Sequence, residues 1–361
     1  MKRIVILPFV MICSLVLGQT IKIPMDAVSL EYNNYYHKAY AAIGYYDQHY
    51  PNSLIQLNPY NGTVEKKLSL NDEPGVIKTT PDKKHMYLSF LSAPHILKID
   101  LNSFTVVDTI ETNGAVVYSF DIMPGNENML AVVKDGTPYP SVCLFDNGQL
   151  LPKQVSTGYD YPEEICFNED GTRLFGYASN GDGYRMNIAG SGIEYDSITF
   201  EYMVPTRGEF KRHNGLLYDG YGLLLDAFSD SIPKIVAWMP VYKFLFVYCA
   251  GSEYSELHGC FLYGHENNSH AWISFFDGQN LNYLGSIDVD DYCDVVQEVT
   301  VVDQDDFILR SFDTENYTCL LFHHGTTKNK VFLKGKKNMG NWETKKNYLC
   351  PPYSHTHTCT H

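Results

Sequence analysis

A hairpin pattern recurs seven times along this chain and constrains its fold more than any other feature. Each copy has an apolar run, a turn and a second apolar run, as in LIQLNPYNGTVEKKLSL and ILKIDLNSFTVVDTIE. The copies begin at residues 54, 96, 142, 184, 222, 272 and 319, so consecutive copies start 38 to 50 residues apart. Regular self-similarity of this kind is typical of arrays in which each repeat is one supersecondary unit.

A second pair of strands precedes most of these hairpins. Apolar residues alternate on both sides of a tight turn in segments that begin at 75, 117, 163, 234 and 295, which predicts adjacent antiparallel strands. Four-stranded sheets of this size bury both faces by packing around an axis. The sequence therefore predicts an all-β fold, a seven-bladed β-propeller of four-stranded antiparallel blades. The expected inner strands lie near Val76, Phe120, Ile165, Ile235 and Val299.

The two ends of the chain differ in character from its middle. Two basic residues precede an apolar run at 4–17, a pattern typical of a secretory signal peptide cleaved after Gly18. The run is shorter than the roughly 20 residues that span a bilayer, and no later segment is apolar enough to cross one. We expect a signal peptide at 1–18, the propeller domain at 19–334 and a polar, disordered tail at 335–361. The expected location is secreted, periplasmic or at the cell surface.

Charge and composition limit the partners of the chain. The formal net charge is −15, which repels nucleic-acid phosphates and therefore disfavours nucleic acid as a partner. Aromatic residues make up 14% of the chain and include 28 tyrosines, which suits strands and contact surfaces. The expected partner is a small molecule, a carbohydrate or a protein at a face of the propeller, and the expected state is a monomer.

Several repeats share a turn, a strand and an Ile-Asp pair: TPDKK at 80–84, YLS at 87–89, Ile99-Asp100, Val106-Val107, NEDGT at 168–172 and Phe175. These segments resemble the repeats of the YVTN-type family of bacterial β-propellers. Units of that family have a Ser-Pro-Asp-Gly-Lys turn, an apolar strand, an Ile-Asp pair and a strand with valine. The resemblance runs from about residue 26 to residue 334 and implies propeller repeats. It names no function, because related propellers include binding proteins, lactonases and quinoprotein-like enzymes.

The loops that lead into the inner strands are the candidate ligand site. In a propeller these loops surround the mouth of the central channel, and concave mouths favour ligands. The candidate residues are mostly acidic and aromatic, which suits a cation or a sugar. The alternative interpretation is that they are solvated turn residues. The candidate rim residues are Glu73, Tyr159, Tyr161, Glu163, Arg207, Asp290, Asp291 and Tyr292.

Other conspicuous polar residues have simpler interpretations. We expect the recurrent turn aspartates to hydrogen-bond to the backbone of their own turns. The carboxylate clusters at 288–291 and 303–306 lack the 12-residue spacing of a calcium loop, and we expect only adventitious metal binding at the His- and Cys-containing segment 355–361. The four most conspicuous turn aspartates are Asp82, Asp100, Asp170 and Asp277.

No motif assigns a metal site, a cofactor or a catalytic residue. The chain has no Gly-x-Ser-x-Gly elbow, His-Glu-x-x-His pair or phosphate-binding glycine loop. Histidines would act as bases only where the fold brings carboxylates beside them. The histidines considered are His213, His265, His270, His323 and His324.

Residues 251–271 interrupt the regular spacing of the sixth repeat. Their mixture of Tyr, His and Glu predicts a loop used in recognition, and the alternative is a hairpin that lengthens the blade. The first function hypothesis is an exported binding or interaction module whose ligand is unknown. The alternative is a propeller enzyme, either metal-dependent and lactonase-like or quinoprotein-like. The first enzyme type needs carboxylates or Asn side chains converging on one ion, and the second needs basic groups in the channel.

Overall fold

The chain folds as an all-β propeller whose blades are four-stranded antiparallel sheets. In the described residues of this computed structural model, the strands form seven antiparallel sheets, which are numbered I to VII here in chain order. The described residues are 19–136, 138–156, 158, 161–178, 182–201, 210–220, 222–227, 234–238, 248–256, 258–267, 270–289, 295–303, 306–313 and 317–324.

Each sheet is built from consecutive strands, with one exception in sheet VII. Sheet I contains β2 (Ala27–Asn33), β3 (Lys38–Ile43), β4 (Ser53–Leu57) and β5 (Val64–Ser69). Sheet II contains β6 (Pro74–Thr79), β7 (His85–Phe90), β8 (His95–Asp100) and β9 (Thr105–Glu111). Sheet III contains β10 (Val117–Ile122), β11 (Met129–Lys134), β12 (Ser141–Asp146), β13 (Gln149–Leu150) and β14 (Val155–Ser156). Sheet IV contains β15 (Glu164–Phe167), β16 (Arg173–Tyr177), β17 (Asp182–Ala189) and β18 (Gly192–Glu201).

The remaining three sheets follow the same plan. Sheet V contains β19 (Lys211–His213), β20 (Leu216–Tyr218), β21 (Leu223–Asp226) and β22 (Lys234–Trp238). Sheet VI contains β23 (Tyr248–Ser255), β24 (Cys260–Asn267), β25 (His270–Asp277) and β26 (Tyr283–Asp288). Sheet VII contains β27 (Val295–Val301), β28 (Asp306–Asp313), β29 (Tyr317–His324) and β1 (Gln19–Pro24).

The seven predicted hairpin copies coincide with the third strands of the seven sheets. Those strands are β4, β8, β12, β17, β21, β25 and β29, and each begins within two residues of a predicted start. Turn chemistry was also predicted correctly: each of the four recurrent aspartates accepts a backbone N–H from its own turn, with N···O distances of 2.6–3.0 Å. The sequence pattern therefore located strands and turns without help from tertiary contacts.

Apolar side chains hold neighbouring sheets together face to face. Among the described residues, one cluster of buried residues lies between each sheet and the next, from I/II to VI/VII, and one more lies between VII and I. The core is therefore distributed among the interfaces between sheets. Burial of apolar area at these interfaces stabilises the fold.

Strand β1 supplies the fourth strand of sheet VII. It pairs antiparallel with β29, from Gln19 opposite His324 to Pro24 opposite Cys319. The hairpin copy that begins at 319 has its second apolar run at 331–333 instead, and residues 325–334 lie outside the described residues. Pairing of the first strand with the last joins the two ends of the array and covers the edge of β29.

One predicted inner strand is wrong. Four of the five marker residues lie in the first strands of sheets II, III, IV and VII, as predicted, but Ile235 lies in β22, the fourth strand of sheet V. The first strand of sheet VI is β23 instead. Two apolar strands in succession have the same alternating pattern whether they belong to one sheet or to two, so the pattern alone misplaced the boundary.

The interpretation of residues 251–271 as a recognition loop is also wrong. This segment contains most of β23, all of β24 and the start of β25. Phe261 and Tyr263 are completely buried between sheets V and VI. A Cβ atom at Gly251 would lie 2.9 Å from the Cα of Glu298, so β23 and β27 approach at backbone distance. The segment is part of the core.

Candidate functional site

The first strands of the sheets surround the central channel. Strand β2 contacts both β6 and β27, and further contacts join β6 to β10, β10 to β15, β15 to β19 and β23 to β27. Because the strands of each sheet are antiparallel, the loops that lead into the first strands lie at the same end of the propeller as the loops between second and third strands. We call this end the tyrosine face. Its described loop residues are 25–26, 44–52, 70–73, 91–94, 112–116, 135–136, 138–140, 158, 161–163, 178, 210, 219–220, 222 and 289.

The tyrosine face combines exposed aromatic rings with carboxylates. Tyr46 is 81% exposed and Tyr45 is 61% exposed, although tyrosine is usually at least half buried. None of the described loop residues of this face is Lys or Arg. The carboxylates that are exposed or half-buried here are Asp26, Asp47, Asp72, Glu73, Asp135 and Glu163.

A stacked pair of tyrosines lies at the start of sheets III and IV. The rings of Tyr118 and Tyr161 have centroids 5.2 Å apart and planes 26° apart. Partial burial and then the charge of Asp135 raise the pKa of Tyr118. Partial burial and then the charge of Glu163 raise the pKa of Tyr161. Both phenols therefore stay neutral at physiological pH, beside two carboxylates. Aromatic faces flanked by negative charge attract cationic groups.

Three of the eight predicted rim residues are described, and all three lie on the tyrosine face. Tyr161 and Glu163 lie beside the tyrosine pair. Glu73 precedes β6, and its Oε1 accepts the N–H of Tyr45 at 3.2 Å. Five predicted rim residues lie outside the described residues, namely Tyr159, Arg207, Asp290, Asp291 and Tyr292.

The sequence analysis missed the residues that complete this surface. Tyr118 and Asp135 were not singled out, and neither were Tyr45 and Tyr46. The available signal was the run Tyr45-Tyr46-Asp47, which follows the buried strand β3 after one glycine. Consecutive aromatic residues in a loop are not accounted for by burial in the core.

An ion-pair network around the buried Asp121 links the first strands of four sheets deeper in the channel, and its two cations, Lys78 and Arg212, are partly exposed. Arg212 Nη1 of β19 lies 2.6 Å from Asp121 Oδ2 of β10 and 3.5 Å from Cys166 Sγ of β15. The same Asp121 oxygen accepts the N–H of Phe167 at 2.9 Å, and Lys78 Nζ of β6 lies 3.7 Å from Oδ1. Arg212 therefore extends past sheet IV to reach sheet III.

The network holds Asp121 ionised. Burial alone would raise the pKa of Asp121, but Arg212 and then Lys78 outweigh burial and lower it. The same carboxylate raises the pKa of Arg212, although burial opposes this. The basic groups that a quinoprotein-like enzyme would direct at an anionic cofactor are here in contact with an acidic side chain of the protein itself.

Among the five histidines considered above, His213 has a carboxylate beside it, but not on the tyrosine face. His213 Nδ1 lies 3.2 Å from Glu256 Oε1, and its ring stacks on Tyr254. Burial lowers the pKa of His213, and Glu256 partly opposes this effect. Since His213 ends β19, the pair lies at the opposite end of the channel from the predicted rim. Among the described residues, no group of three or more His, Cys, Asp or Glu side chains is arranged to hold a metal ion.

Acid is expected to destabilise the protein through His265. Burial lowers the pKa of His265 to about 3, whereas an unfolded histidine has a pKa near 6.5. Below about pH 6.5 the unfolded state therefore binds a proton that the folded state does not, and the free energy of unfolding falls by about 1.4 kcal/mol per pH unit down to about pH 3. Urea unfolding at pH 7, 6 and 5 measures this slope.

The contribution of His265 is isolated by substitution. His265→Phe, which retains a ring to stack on Trp272, is expected to have a flatter dependence on pH than the parent protein. His49→Gln, at an exposed histidine, is the matched control and should leave the slope unchanged. Equal slopes for the parent protein and His265→Phe would contradict the prediction.

Comparisons with known proteins show the fold and no family. A scan against models of protein families finds no match, and a search of curated proteins finds no relative. Among solved structures, the β-propeller domain of Cps50 (Swd1) from Myceliophteria thermophila is similar, with a TM-score of 0.59 and 11% sequence identity. The match covers 85% of this chain and 98% of that domain. Within the described residues, no helix is both long and apolar enough to cross a membrane.

Proposed function

We propose that this chain is an exported, seven-bladed propeller that binds a cationic ligand or a basic segment of a partner protein on its tyrosine face. The blade count is supported by seven sheets and by the cluster of apolar residues between sheets VII and I. Export is supported by the basic start and the apolar run at 4–17. The YVTN-type resemblance belongs to the same proposal, because it accounts for the turns and strands of the repeats.

The composition of the tyrosine face carries the functional part of the proposal. Exposed tyrosines give rigid, amphipathic contact area at a low cost in conformational entropy. The nearby carboxylates, without a described Lys or Arg in the same loops, give a negative potential that attracts cations and slows the approach of anions. A neutral or anionic ligand would gain nothing from this arrangement of charges.

A charge-matched pair of variants tests the proposal. Decalysine, with decaglutamate as the negative probe, is titrated into the purified protein at about 0.15 M salt, where charges farther than about 8 Å are screened. Asp135→Asn with Glu163→Gln is expected to weaken decalysine binding about tenfold, since two exposed contacts of about 0.7 kcal/mol each are lost. Isothermal titration calorimetry measures the change.

The control variant removes the same charge from the other end of the propeller. Glu169→Gln with Asp303→Asn alters two exposed carboxylates in loops between first and second strands. This variant should bind decalysine within about twofold of the parent protein, given that rim charges contribute little beyond local contacts. Equal weakening in the two double variants would mean that only net charge matters, and the tyrosine face would then not be the site.

A further inference from the structure

A groove lies on the outer side of the propeller, where sheets III and IV meet. It has a volume of about 770 Å³, which is within the roughly 300–1,000 Å³ range of ligand sites. Its lining comes from the segment around β14 and from strands β17 and β18. The groove is therefore separate from the channel and from the tyrosine face.

An interrupted outer strand creates the groove. In sheet III the outer edge of β12 pairs with β13 and then with β14. Leu151 N–H still donates to Leu144 O of β12 at 2.8 Å, so residues 152–154 leave the sheet between the two short strands. Pro152 lies in this bulge. The bulge makes no ladder hydrogen bonds, so the missing N–H of proline costs none. The bulge attaches instead to the next sheet, because Lys153 N–H donates to Ser191 O at 2.9 Å and Ile193 N–H donates to Lys153 O at 3.1 Å.

A glycine permits this close attachment. Gly192 has a φ of +131°, in the region that favours glycine, and a Cβ there would overlap the carbonyl oxygen of Lys153. Backbone hydrogen bonds and a residue without a side chain thus fix the bulge against the β17–β18 hairpin.

The floor of the groove is apolar and one wall is aromatic. Val155, Tyr184 and Ile193 belong to the buried cluster between sheets III and IV and form the floor. Tyr195 is 48% exposed and lies on β18, opposite Met186 of β17. Since Met186 faces the same cluster, Tyr195 projects on the groove side of sheet IV. The ring of Tyr195 offers a flat apolar surface at the edge of the groove.

The rim is polar without net charge. Lys153 and Glu194 form an ion pair with each other, so their charges cancel locally. Gln154 and Ser156 are exposed, and the Ser156 hydroxyl donates to Pro140 O at 3.3 Å, which leaves its oxygen able to accept. A charged ligand would find no net charge here, because the two exposed charges of the rim are already paired with each other.

We propose that this groove binds a neutral oligosaccharide. A sugar ring has an apolar C–H face that packs on the ring of Tyr195, and hydroxyls that exchange hydrogen bonds with Gln154 and Ser156. An open groove with a fixed backbone suits a chain of sugars lying along the surface of the propeller. The site is independent of the tyrosine face, so either proposal can fail without the other.

Titration with defined sugars tests the proposal. Cellohexaose, maltohexaose and chitohexaose are titrated into the full chain, with a hexamer of galacturonic acid as the charged probe, and binding is measured by calorimetry. At least one neutral hexaose is expected to bind saturably. Tyr195→Ala is expected to weaken that binding about tenfold, and Tyr195→Phe should restore most of it because the ring is retained.

A control variant and a second measurement separate this outcome from misfolding and from the tyrosine face. Tyr46→Ala removes another highly exposed ring and should leave oligosaccharide binding within about twofold of the parent protein, since the two sites do not share residues. Circular dichroism checks that each variant keeps its sheet content. Absence of saturable binding by all three neutral hexaoses, preferential binding of the uronate hexamer, or unchanged affinity in Tyr195→Ala would each overturn the proposal.

Discussion

Replacing Asp121 with alanine is expected to lower the free energy of unfolding by about 2–3 kcal/mol. This is less than the cost of breaking a fully buried ion pair, because Arg212 and Lys78 are partly exposed. The change leaves two cations, Arg212 and Lys78, without their shared carboxylate in the interior of the channel. It also removes the acceptor for the N–H of Phe167. Chemical denaturation at pH 7 measures the loss.

Two further variants determine how much of that loss comes from charge. Asp121→Asn retains an oxygen acceptor and removes the negative charge, so an intermediate loss is expected. Asp108→Ala, at an exposed aspartate on the outer strand β9, should change stability by no more than about 0.5 kcal/mol. A loss below about 1 kcal/mol in Asp121→Ala would show that the network is not required to hold the first strands together.

The stability that the ionised Asp121 contributes also depends on pH. Its pKa is lowered in the folded protein, because Arg212 and Lys78 outweigh the opposing effect of burial. The stability that this carboxylate contributes is therefore present above its unfolded pKa, near 3.9, and is lost as the pH falls through the folded value. The effect of His265 begins near pH 6.5, so measurements between pH 7 and pH 5 report His265 separately from Asp121.

Replacing Phe261 with alanine is expected to cost about 3–5 kcal/mol, the usual cost of truncating a buried aromatic side chain. Phe261 is completely buried, and its ring centroid lies 5.2 Å from that of Tyr218 and 4.8 Å from that of Tyr254. The cavity would open between sheets V and VI, where the described cluster contains few residues. The melting temperature should fall by roughly 10 °C.

The same experiment tests whether residues 251–271 belong to the core. Tyr46→Ala is the matched control, because it removes an aromatic ring that is 81% exposed and should shift the melting temperature by less than about 2 °C. If Phe261→Ala also lowered the melting temperature by less than about 2 °C, the segment would be peripheral, and its interpretation as a recognition loop would have to be reconsidered.

The ion-pair network around Asp121 could not be predicted from the sequence pattern. Lys78, Asp121 and Arg212 are separated by 43 and 91 residues along the chain. Each occupies an unremarkable position in an alternating strand, where a charged residue is usually solvated. Only the packing of first strands around one channel brings the three side chains together and buries the carboxylate of Asp121 between them.

The candidate sites were partly predictable for the same reason. Glu73, Tyr161 and Glu163 were placed at the channel mouth because loop position follows from strand order within a repeat. Stacking of Tyr118 on Tyr161 depends on the angle between two sheets, which no repeat pattern specifies. The groove between sheets III and IV depends on two backbone hydrogen bonds of Lys153, to Ser191 and Ile193, and was not predicted at all.

By itself the sequence determined the type of element, the repeat length, the third strand of every sheet and the turns made by Asp82, Asp100, Asp170 and Asp277. These features are local, because alternation of period two and side-chain bonding to a nearby backbone act over a few residues. Tertiary structure alone decided that β1 completes sheet VII, that β22 belongs to sheet V and that residues 251–271 are core. Each of these depends on pairing or packing between segments far apart in the chain. Many such strand pairings have the same local sequence pattern, and only the burial of apolar faces and the pairing of strand edges select one of them.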